Sequence, residues 1–553
     1  MTQLSRILVY SGTILAGLLA FAEPATVAPR HCRGDAKHIH IAVGKDPARE
    51  MTISFATKWS YHGIDPPLAG VYIGSKPNQL DRFVEEQEFP LTYNSTLPRK
   101  LSGNYYAPFQ HHITIDGLEP NTTYYYAVVV NDRSEGKQAL RGKPLRDHPS
   151  QHSITKEIEA EKGFLTEEEL NAQEDNNIRR LSPPPYDGSS KPCVESHRVR
   201  SFRTAPVTST GPVTFAIIGD LGQFDHSKET LEHMKKYRQG IDAVVLVGDI
   251  AYTDSDHRRW DTFFDFLDDY SIFSEVPLLI AAGNHGKLCF SCVFFFSFPL
   301  FSSWTNCNRS LDIDKMDNGT EIFQSYEARF RMPQVRPAEL GTYDGPMGPL
   351  NMDAPPYPLP YEWGNAYYSF VYGPSKHIIV CAYSSMEPGS TQYKWIEQEL
   401  QSVDREVTPW ILLYLHVPIY NTFALHPHDL QIFAARQHLE PLMVKYNVNI
   451  VFTGHIHAYQ RTNNVAMEKI DPKGPIHITV GAGGRQCDAP FKNETAEPWI
   501  VHRDASYYGY GAFAIFNQTH AAWKWIPLSP SGKFHMPSEF FRLCKCLTFC
   551  RIS

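Results

Sequence analysis

The 553-residue chain lacks a charge excess that would name a partner. Its 52 basic and 60 acidic residues leave a formal net charge of -8, which gives no sign of a nucleic-acid surface. An anionic substrate would have to be drawn by local charge, such as a bound metal, rather than by the field of the whole molecule. The chain also lacks the paired spacing of a structural zinc site, although it has ten cysteines. An apolar run long enough for an N-terminal anchor is missing too, because Ile7 to Leu19 is short and interrupted by Ser11, Gly12 and Gly17. With Arg6 before that run and Ala20-Phe21-Ala22 after it, residues 1–22 read as a secretory signal, so a secreted protein without a stable membrane anchor is expected. Export fits the N-x-[ST] sequons at Asn94, Asn121, Asn308, Asn318, Asn493 and Asn517, and it makes disulfides plausible with their connectivity open.

What is present is ordinary globular composition, 42% hydrophobic and 20% charged, enough for two or three domains. Residues 31–205 read as an all-β domain. Met51 to Thr57, Ala69 to Gly74, His111 to Ile115, Thr123 to Val130 and Val199 to Thr204 are short strands bounded by turn residues, the pattern of a sandwich. Nothing in them is catalytic in type. The alternation of His38-Ile39-His40 puts both rings on one strand face, read here as surface. Residues 133–197 turn polar and proline-rich, an insertion with one short helix from Thr166 to Glu174. From 211 to 535 apolar runs alternate with helical spacing at Ser227 to Arg238, Thr391 to Val403 and Asp429 to Tyr446, an α/β domain. Residues 536–553 are left as a tail.

Five apolar runs of this second domain end on a metal-type ligand. Thr214 to Ile218 leads to Asp220, and Ala243 to Val247 leads to Asp249 with Tyr252 three residues on. Pro277 to Ala282 leads to Asn284, Ile411 to Leu415 to His416, and Ile450 to Thr453 to His455 and His457. Open α/β folds place their chemistry at the C-terminal ends of strands. Carboxylates are hard ligands, able to bridge two ions in the case of Asp249, and imidazoles are the usual donors to iron or zinc. A strand-like His455-Ile456-His457 would project both rings to one face. Each residue alone has a bland explanation, whereas all of them at strand ends together point to a metal site.

The blocks Gly219-Asp220-Leu221-Gly222, Gly248-Asp249-Ile250-Ala251-Tyr252, Gly283-Asn284-His285, Leu413-Tyr414-Leu415-His416 and Gly454-His455-Ile456-His457 resemble the five motifs of the purple acid phosphatases, in the metallophosphoesterase superfamily. The resemblance implies a metallophosphoesterase-like α/β catalytic domain, a β-sandwich flanked by helices, preceded by an all-β fibronectin-III-like sandwich that serves structure and dimerisation. It implies Fe(III) held by Asp220, Tyr252 and His457, and a divalent ion, zinc, manganese or iron, held by Asn284, His416 and His455, with Asp249 bridging. It also implies acid hydrolysis of phosphomonoesters by a metal-activated hydroxide, with His285 contacting substrate and His426 orienting phosphate or protonating the leaving group. Tyr252 is diagnostic. Related phosphoesterases usually carry a histidine two residues after the first aspartate, and here that position is Gly222. Where plant members often have a second histidine before His426, this chain has Leu425.

One departure is larger. The family follows Gly-Asn-His with an acidic residue, but here Gly286 follows, and family-like sequence resumes only at Asp312. The intervening residues are rich in Phe, Ser, Leu, Pro and Cys, whose codons are pyrimidine-rich. Gly286-Lys287 can encode a splice donor, and Thr305-Asn306 a branch site. Gly286 to Leu311 is therefore read as a retained in-frame intron, whose removal would restore His285-Asp. The rival is a genuine hydrophobic loop, which would risk aggregation beside the site. Two other functions stay open. A phosphodiesterase of the same superfamily is one, with Tyr252 and Gly222 against it. A catalytically impaired glycoprotein, its site spoiled by the inserted segment, is the other.

Overall fold

β-branched and aromatic residues in short runs between turn residues build the strands around which both domains form. The computed structural model describes residues 36–57, 66–96, 104–131, 198–253, 256–284, 323–333, 361–362, 364–427, 429–485, 487, 489–528 and 539–544. The signal segment 1–22, the insertion 133–197 with its expected helix, His285 and the segment Gly286–Leu311 lie outside the described residues.

The first domain comprises β1 (Lys37–Val43), β2 (Met51–Thr57), β3 (Leu68–Gly74), β4 (Arg82–Glu85), β5 (Asn94–Thr96), β6 (Asn104–Tyr106), β7 (Phe109–Ile115), β8 (Thr123–Asn131) and β9 (Arg200–Arg203). A three-stranded sheet, β1-β2-β7, and a four-stranded sheet, β4-β3-β8-β9, enclose a core that includes Ile41, Met51, Ile53, Val71, Ile113 and Tyr126. This is the all-β sandwich that the sequence predicts.

In the second domain a six-stranded sheet runs β12 (Leu278–Ile280), β11 (Ala243–Leu246), β10 (Val213–Ile218), β21 (Tyr508–Ile515), β22 (His520–Leu528) and β23 (Phe540–Cys544). An eight-stranded sheet runs β13 (Tyr368–Tyr372), β14 (Ser375–Val380), β15 (Trp410–Leu415), β16 (Ile450–Thr453), β19 (Ile476–Val480), β17 (Tyr459–Ala466) and β18 (Lys469–Ile470), with β20 (Ile500–Asp504) paired to β17. Phe215, Val245, Ile379, Leu413, Phe452 and Trp523 belong to one core shared by both sheets. Strands β10, β11 and β12 are mutually parallel, as are β14, β15, β16 and β19, so each set directs its C-terminal ends one way. Chain beyond residue 535, set down above as a tail, supplies β23 as an edge strand. Its Phe541 lies under the Arg461 guanidinium, which also binds Glu539.

Helix α1 (Asp225–Tyr237) follows β10 and helix α2 (Arg258–Tyr270) follows β11. Trp260, Phe263, Phe264, Leu267 and Tyr270 repeat at helical spacing and bury one face of α2. That face corrects the reading of His38 and His40. Both are buried, because the Phe264 ring lies 5.4 Å and 5.2 Å from theirs, and His38 Nε2 reaches Asp265 Oδ1 at 3.1 Å. The short helix α3 (Gln324–Arg329) carries Arg329 into the same boundary, where it donates to Tyr105 Oη at 2.6 Å and Asp261 Oδ1 at 2.8 Å. The helix expected from Asp429 to Tyr446 is broken in geometry. Leu430–Ala434 and Glu440–Lys445 are α-helical, and Ala435–Leu439 between them is a wider π turn. Pro441 has no N–H to continue the regular ladder. Among the described residues no helix is long and apolar enough to cross a membrane.

Candidate metal centre

The site lies where five strands end. Strands β10, β11 and β12 run into Asp220, Asp249 and Asn284, and β15 and β16 run into His416 and His455. The turns are tight enough to force left-handed backbone at Asp220 (φ +55°), Asp249 (+48°), Tyr252 (+53°) and His455 (+67°). Such conformations cost roughly 1–3 kcal/mol each in non-glycine residues and concentrate at functional sites. Backbone bonds lace the turns together: Asp220 N–H donates to the Gly248 carbonyl at 3.1 Å, Gly222 N–H to Ile250 at 2.9 Å, and Gly454 N–H to His416 at 2.9 Å.

Close approach requires glycine at several positions of the site, among them Gly454 and Gly222. A Cβ on Gly454 would lie 2.5 Å from Asp220 Oδ2. Gly222 has φ +59°, and a Cβ there would lie 2.3 Å from Phe224 Cε2 and 3.0 Å from Tyr252 Cδ2. The Tyr252 and Phe224 rings therefore occupy the space that a histidine at position 222 would need, which gives the Gly222–Tyr252 pairing a steric basis.

The side chains form two sets. The Tyr252 hydroxyl lies 3.2 Å from Asp220 Oδ1 and 3.1 Å from His457 Nε2, and those two atoms are 3.6 Å apart. In the other set His416 Nε2 lies 3.1 Å from Asn284 Oδ1 and 3.3 Å from Asp249 Oδ1. His416 Nδ1–H donates to the Val247 carbonyl at 2.8 Å, so Nε2 is the nitrogen that faces the site. His455 donates its backbone N–H to Asp220 Oδ2 and its Nε2–H to Asp429 Oδ2, both at 2.8 Å, so Nδ1 is the atom left to ligate. Ligand atoms of Asp220, Asp249 and His416 all lie within 4.8 Å of one another. The strand-like reading of His455-Ile456-His457 does not hold. With His455 in the left-handed region the segment turns, and the His455 ring faces His416 (centroids 5.1 Å apart) while His457 meets Tyr252.

Burial sets the electrostatics. It pushes the Asp220 carboxyl and the Tyr252 phenol well above their usual ranges, with Asp249 adding to both, so the ionised pair calls for cations beside it. Burial lowers His455 to about 4 and His457 to about 3, leaving both imidazoles neutral and able to ligate. His416 is the exception. Burial opposes its charging, but the Asp249 and Asp220 carboxylates outweigh that and raise its pKa to about 9. The residues present fit hard, positively charged ions: carboxylates, a phenol and an amide oxygen converge with imidazole nitrogens.

His426 stands beside this centre, its ring 4.1 Å from that of His455 between centroids and its Nδ1 3.3 Å from Asp429 Oδ2. Asp429 thus joins His426 to His455. Burial would raise its pKa, but bonds to both imidazoles hold it below the carboxylate range. Sequence reasoning missed Asp429, whose only signal is its place three residues after His426. It also missed Tyr383, whose hydroxyl donates to Asn284 Oδ1 at 2.9 Å, and Arg485, whose guanidinium carbon lies 5.6 Å from the Tyr252 ring centroid. His285 lies outside the described residues.

Three family descriptions match in order along the chain. "Purple acid Phosphatase, N-terminal domain" matches residues 36–139, "Calcineurin-like phosphoesterase" 213–459, and "Iron/zinc purple acid phosphatase-like protein C" 474–534. Purple acid phosphatase 18 of Arabidopsis thaliana is 34% identical over 315 residues, 57% of this chain and 59% of that protein. Fe(3+)-Zn(2+) purple acid phosphatase 12 of the same plant is 30% identical over 332 residues, again 57% of this chain and 59% of its own length. The matched part spans about six-tenths of these relatives. A solved structure of purple acid phosphatase PPD1 from seeds of yellow lupin (Lupinus luteus) superposes with a TM-score of 0.62 at 19% identity, covering 92% of this chain and 74% of that one, which establishes the shared fold.

Proposed function

Because the chain belongs to the purple acid phosphatase family, we propose that it is a secreted acid phosphatase that hydrolyses phosphomonoesters at a binuclear centre of Fe(III) and a divalent zinc, manganese or iron ion. One observation carries the reading: the Tyr252 hydroxyl meets Asp220 and His457, whereas Asn284 and Asp249 meet His416. A phenolate with a carboxylate suits a trivalent ion, and a neutral amide with imidazoles suits a divalent one. Asp220, Tyr252 and His457 would hold the iron, Asn284, His416 and His455 the second ion, and Asp249 would bridge.

Bound together, the two cations supply an acidified water and charge stabilisation for the phosphoryl group in flight. The chain's own residues do the rest. Val247 and Asp429 fix which nitrogen of His416 and His455 faces the metals. Asp429 also steadies His426, whose imidazole would touch a phosphate oxygen or give the leaving group its proton. His285, next to Asn284 in sequence, would contact substrate. Exposure of Asn121, Asn493 and Asn517 supports glycosylation and export, and by the family resemblance the sandwich domain would carry the surface of a homodimer. The two domains are taken to span 31–205 and 211–535.

The test is a visible absorption spectrum of the purified chain with iron quantified on the same sample. A broad ferric–phenolate band lost in Tyr252→Phe is expected. A colourless protein that binds no iron, with or without Gly286–Leu311, refutes the centre. Comparing monoester with diester hydrolysis tests the substrate class. The retained-intron reading of 286–311 is checked by sequencing the transcript, and it fails if most mature messages carry the segment.

A further inference from the structure

The loop after β19 delivers a cation to the phenol side of the centre. Gly483 N–H donates to the Gly219 carbonyl at 2.9 Å and Arg485 N–H to the Asp220 carbonyl at 3.1 Å, so the backbone of Gly481 to Arg485 is fastened to the turn that carries Asp220. From that anchor the Arg485 guanidinium carbon lies 5.1 Å from the Phe224 ring centroid and 5.6 Å from that of Tyr252. Those two rings meet edge to face at 5.4 Å and 68°, which fixes the Tyr252 ring plane against the cation. Among the described residues no carboxylate lies at ion-pair distance from the guanidinium, and the Phe224 and Tyr252 rings are the groups it lies over. Guanidinium over an aromatic face is a favourable arrangement, and it is more so when the ring carries negative charge.

We propose that Arg485 is a positioning residue that sets the electron-donor strength of the Tyr252 phenolate toward the ferric ion. The inference rests on the reading of Tyr252 as an iron ligand. A fixed positive charge against a phenolate stabilises electron density on that ring. It therefore widens the gap to the state in which an electron has moved to iron, and it leaves the iron more electron-poor. Three consequences follow together: the charge-transfer band lies at shorter wavelength, the Fe(III)/Fe(II) potential is higher, and the iron is a stronger Lewis acid toward phosphate oxygen.

The experiment compares Arg485→Gln, Arg485→Lys and Tyr252→Phe in the full-length, iron-loaded protein. Iron content, the visible band and a mediator-coupled one-electron potential are measured on each. In R485Q the band should move to longer wavelength and the potential should fall, while iron content stays at the parent level. R485K keeps the charge but loses the planar stack, so it should stay near the parent in both readouts. If R485Q does not retain iron, Arg485→Met takes its place. A neutral variant with parent band and parent potential overturns the proposal, as does R485K shifting as far as the neutral variant, because packing rather than charge would then be responsible. Y252F separates the two layers of argument. Loss of the band there with an unmoved neutral Arg485 variant sinks only this inference, whereas a band that survives in Y252F overturns the ligand assignment and this inference with it.

Discussion

Gly454→Ala adds one methyl group between the two sets of donors, and its effect can be worked from distances alone. The new Cβ would stand 2.5 Å from Asp220 Oδ2, 2.9 Å from the Val247 carbonyl and 3.3 Å from His416 Nδ1. Real Cβ contacts essentially never fall below 3.0 Å, so the carboxylate must retreat by about 0.5 Å or more. Its retreat is opposed, because Oδ2 already accepts the His455 N–H at 2.8 Å. Moving the methyl the other way disturbs the 2.8 Å bond from His416 Nδ1–H to Val247. Displacing supporting contacts of metal ligands costs about 10- to 100-fold in metal affinity or activity, or about 1.4 to 2.7 kcal/mol. The assay is iron retained after dialysis against graded chelator, read beside kcat/KM and a thermal melt. Gly240→Ala, where a Cβ meets nothing within 4 Å, is the control. A G454A protein that holds iron as tightly as the parent and turns over at the parent rate would refute the geometry described for the centre.

His477 is buried, among the described residues neither ring nitrogen has a hydrogen-bond partner, and burial lowers its pKa to about 3. The unfolded chain takes up that proton near pH 6.5, so the fold loses stability as pH drops below 6.5 toward 3. By pH 5 this one side chain costs about 2 kcal/mol, and His477→Leu should shrink the difference in unfolding free energy between pH 7 and pH 5 by about that amount. An unchanged difference refutes the assignment. Arg329→Met leaves the Tyr105 and Asp261 contacts unmade at the domain boundary and should cost about 3 kcal/mol in urea unfolding; a loss below about 1 kcal/mol would show that the boundary does not depend on it. Asp429→Asn takes the negative charge from Oδ2, the one oxygen that both imidazoles meet. It should lower kcat or divalent-ion affinity about 10- to 100-fold, and parent behaviour in both would remove Asp429 from the site.

The strands and the candidate site residues at their ends are legible because their signals are local. A β-branched run ending in glycine and a polar residue marks a strand end whatever packs around it, which is why Asp220, Asp249 and Asn284 could be placed. His455 and His457 were found as residues but misplaced in direction, since nothing in Gly-His-Ile-His announces a left-handed φ at the first histidine. The burial of His38 and His40 was illegible for another reason. It depends on the aromatic face of α2, more than two hundred residues away in the chain. Asp429 and Arg485 sit on turns with no periodicity, and their meaning arises only when the turn meets His426 and His455, or Phe224 and Tyr252.

The donors divide by chemistry between the two sheets. The oxygens of Asp220, Asp249, Tyr252 and Asn284 follow strands of the six-stranded sheet, and the imidazoles of His416, His455 and His457 follow strands of the eight-stranded one. Neither sheet alone presents a full set, so ions held by the proposed ligands would act as a rivet between the two sheets, and their binding energy would become cohesion between these layers. At a free ion concentration 100 times its dissociation constant, that cohesion is worth about 2.7 kcal/mol. The loading of metal would then report whether the two layers have met in register. A substitution far from any ligand that slides one sheet against the other would first show itself as a loss of colour, before any loss of secondary structure.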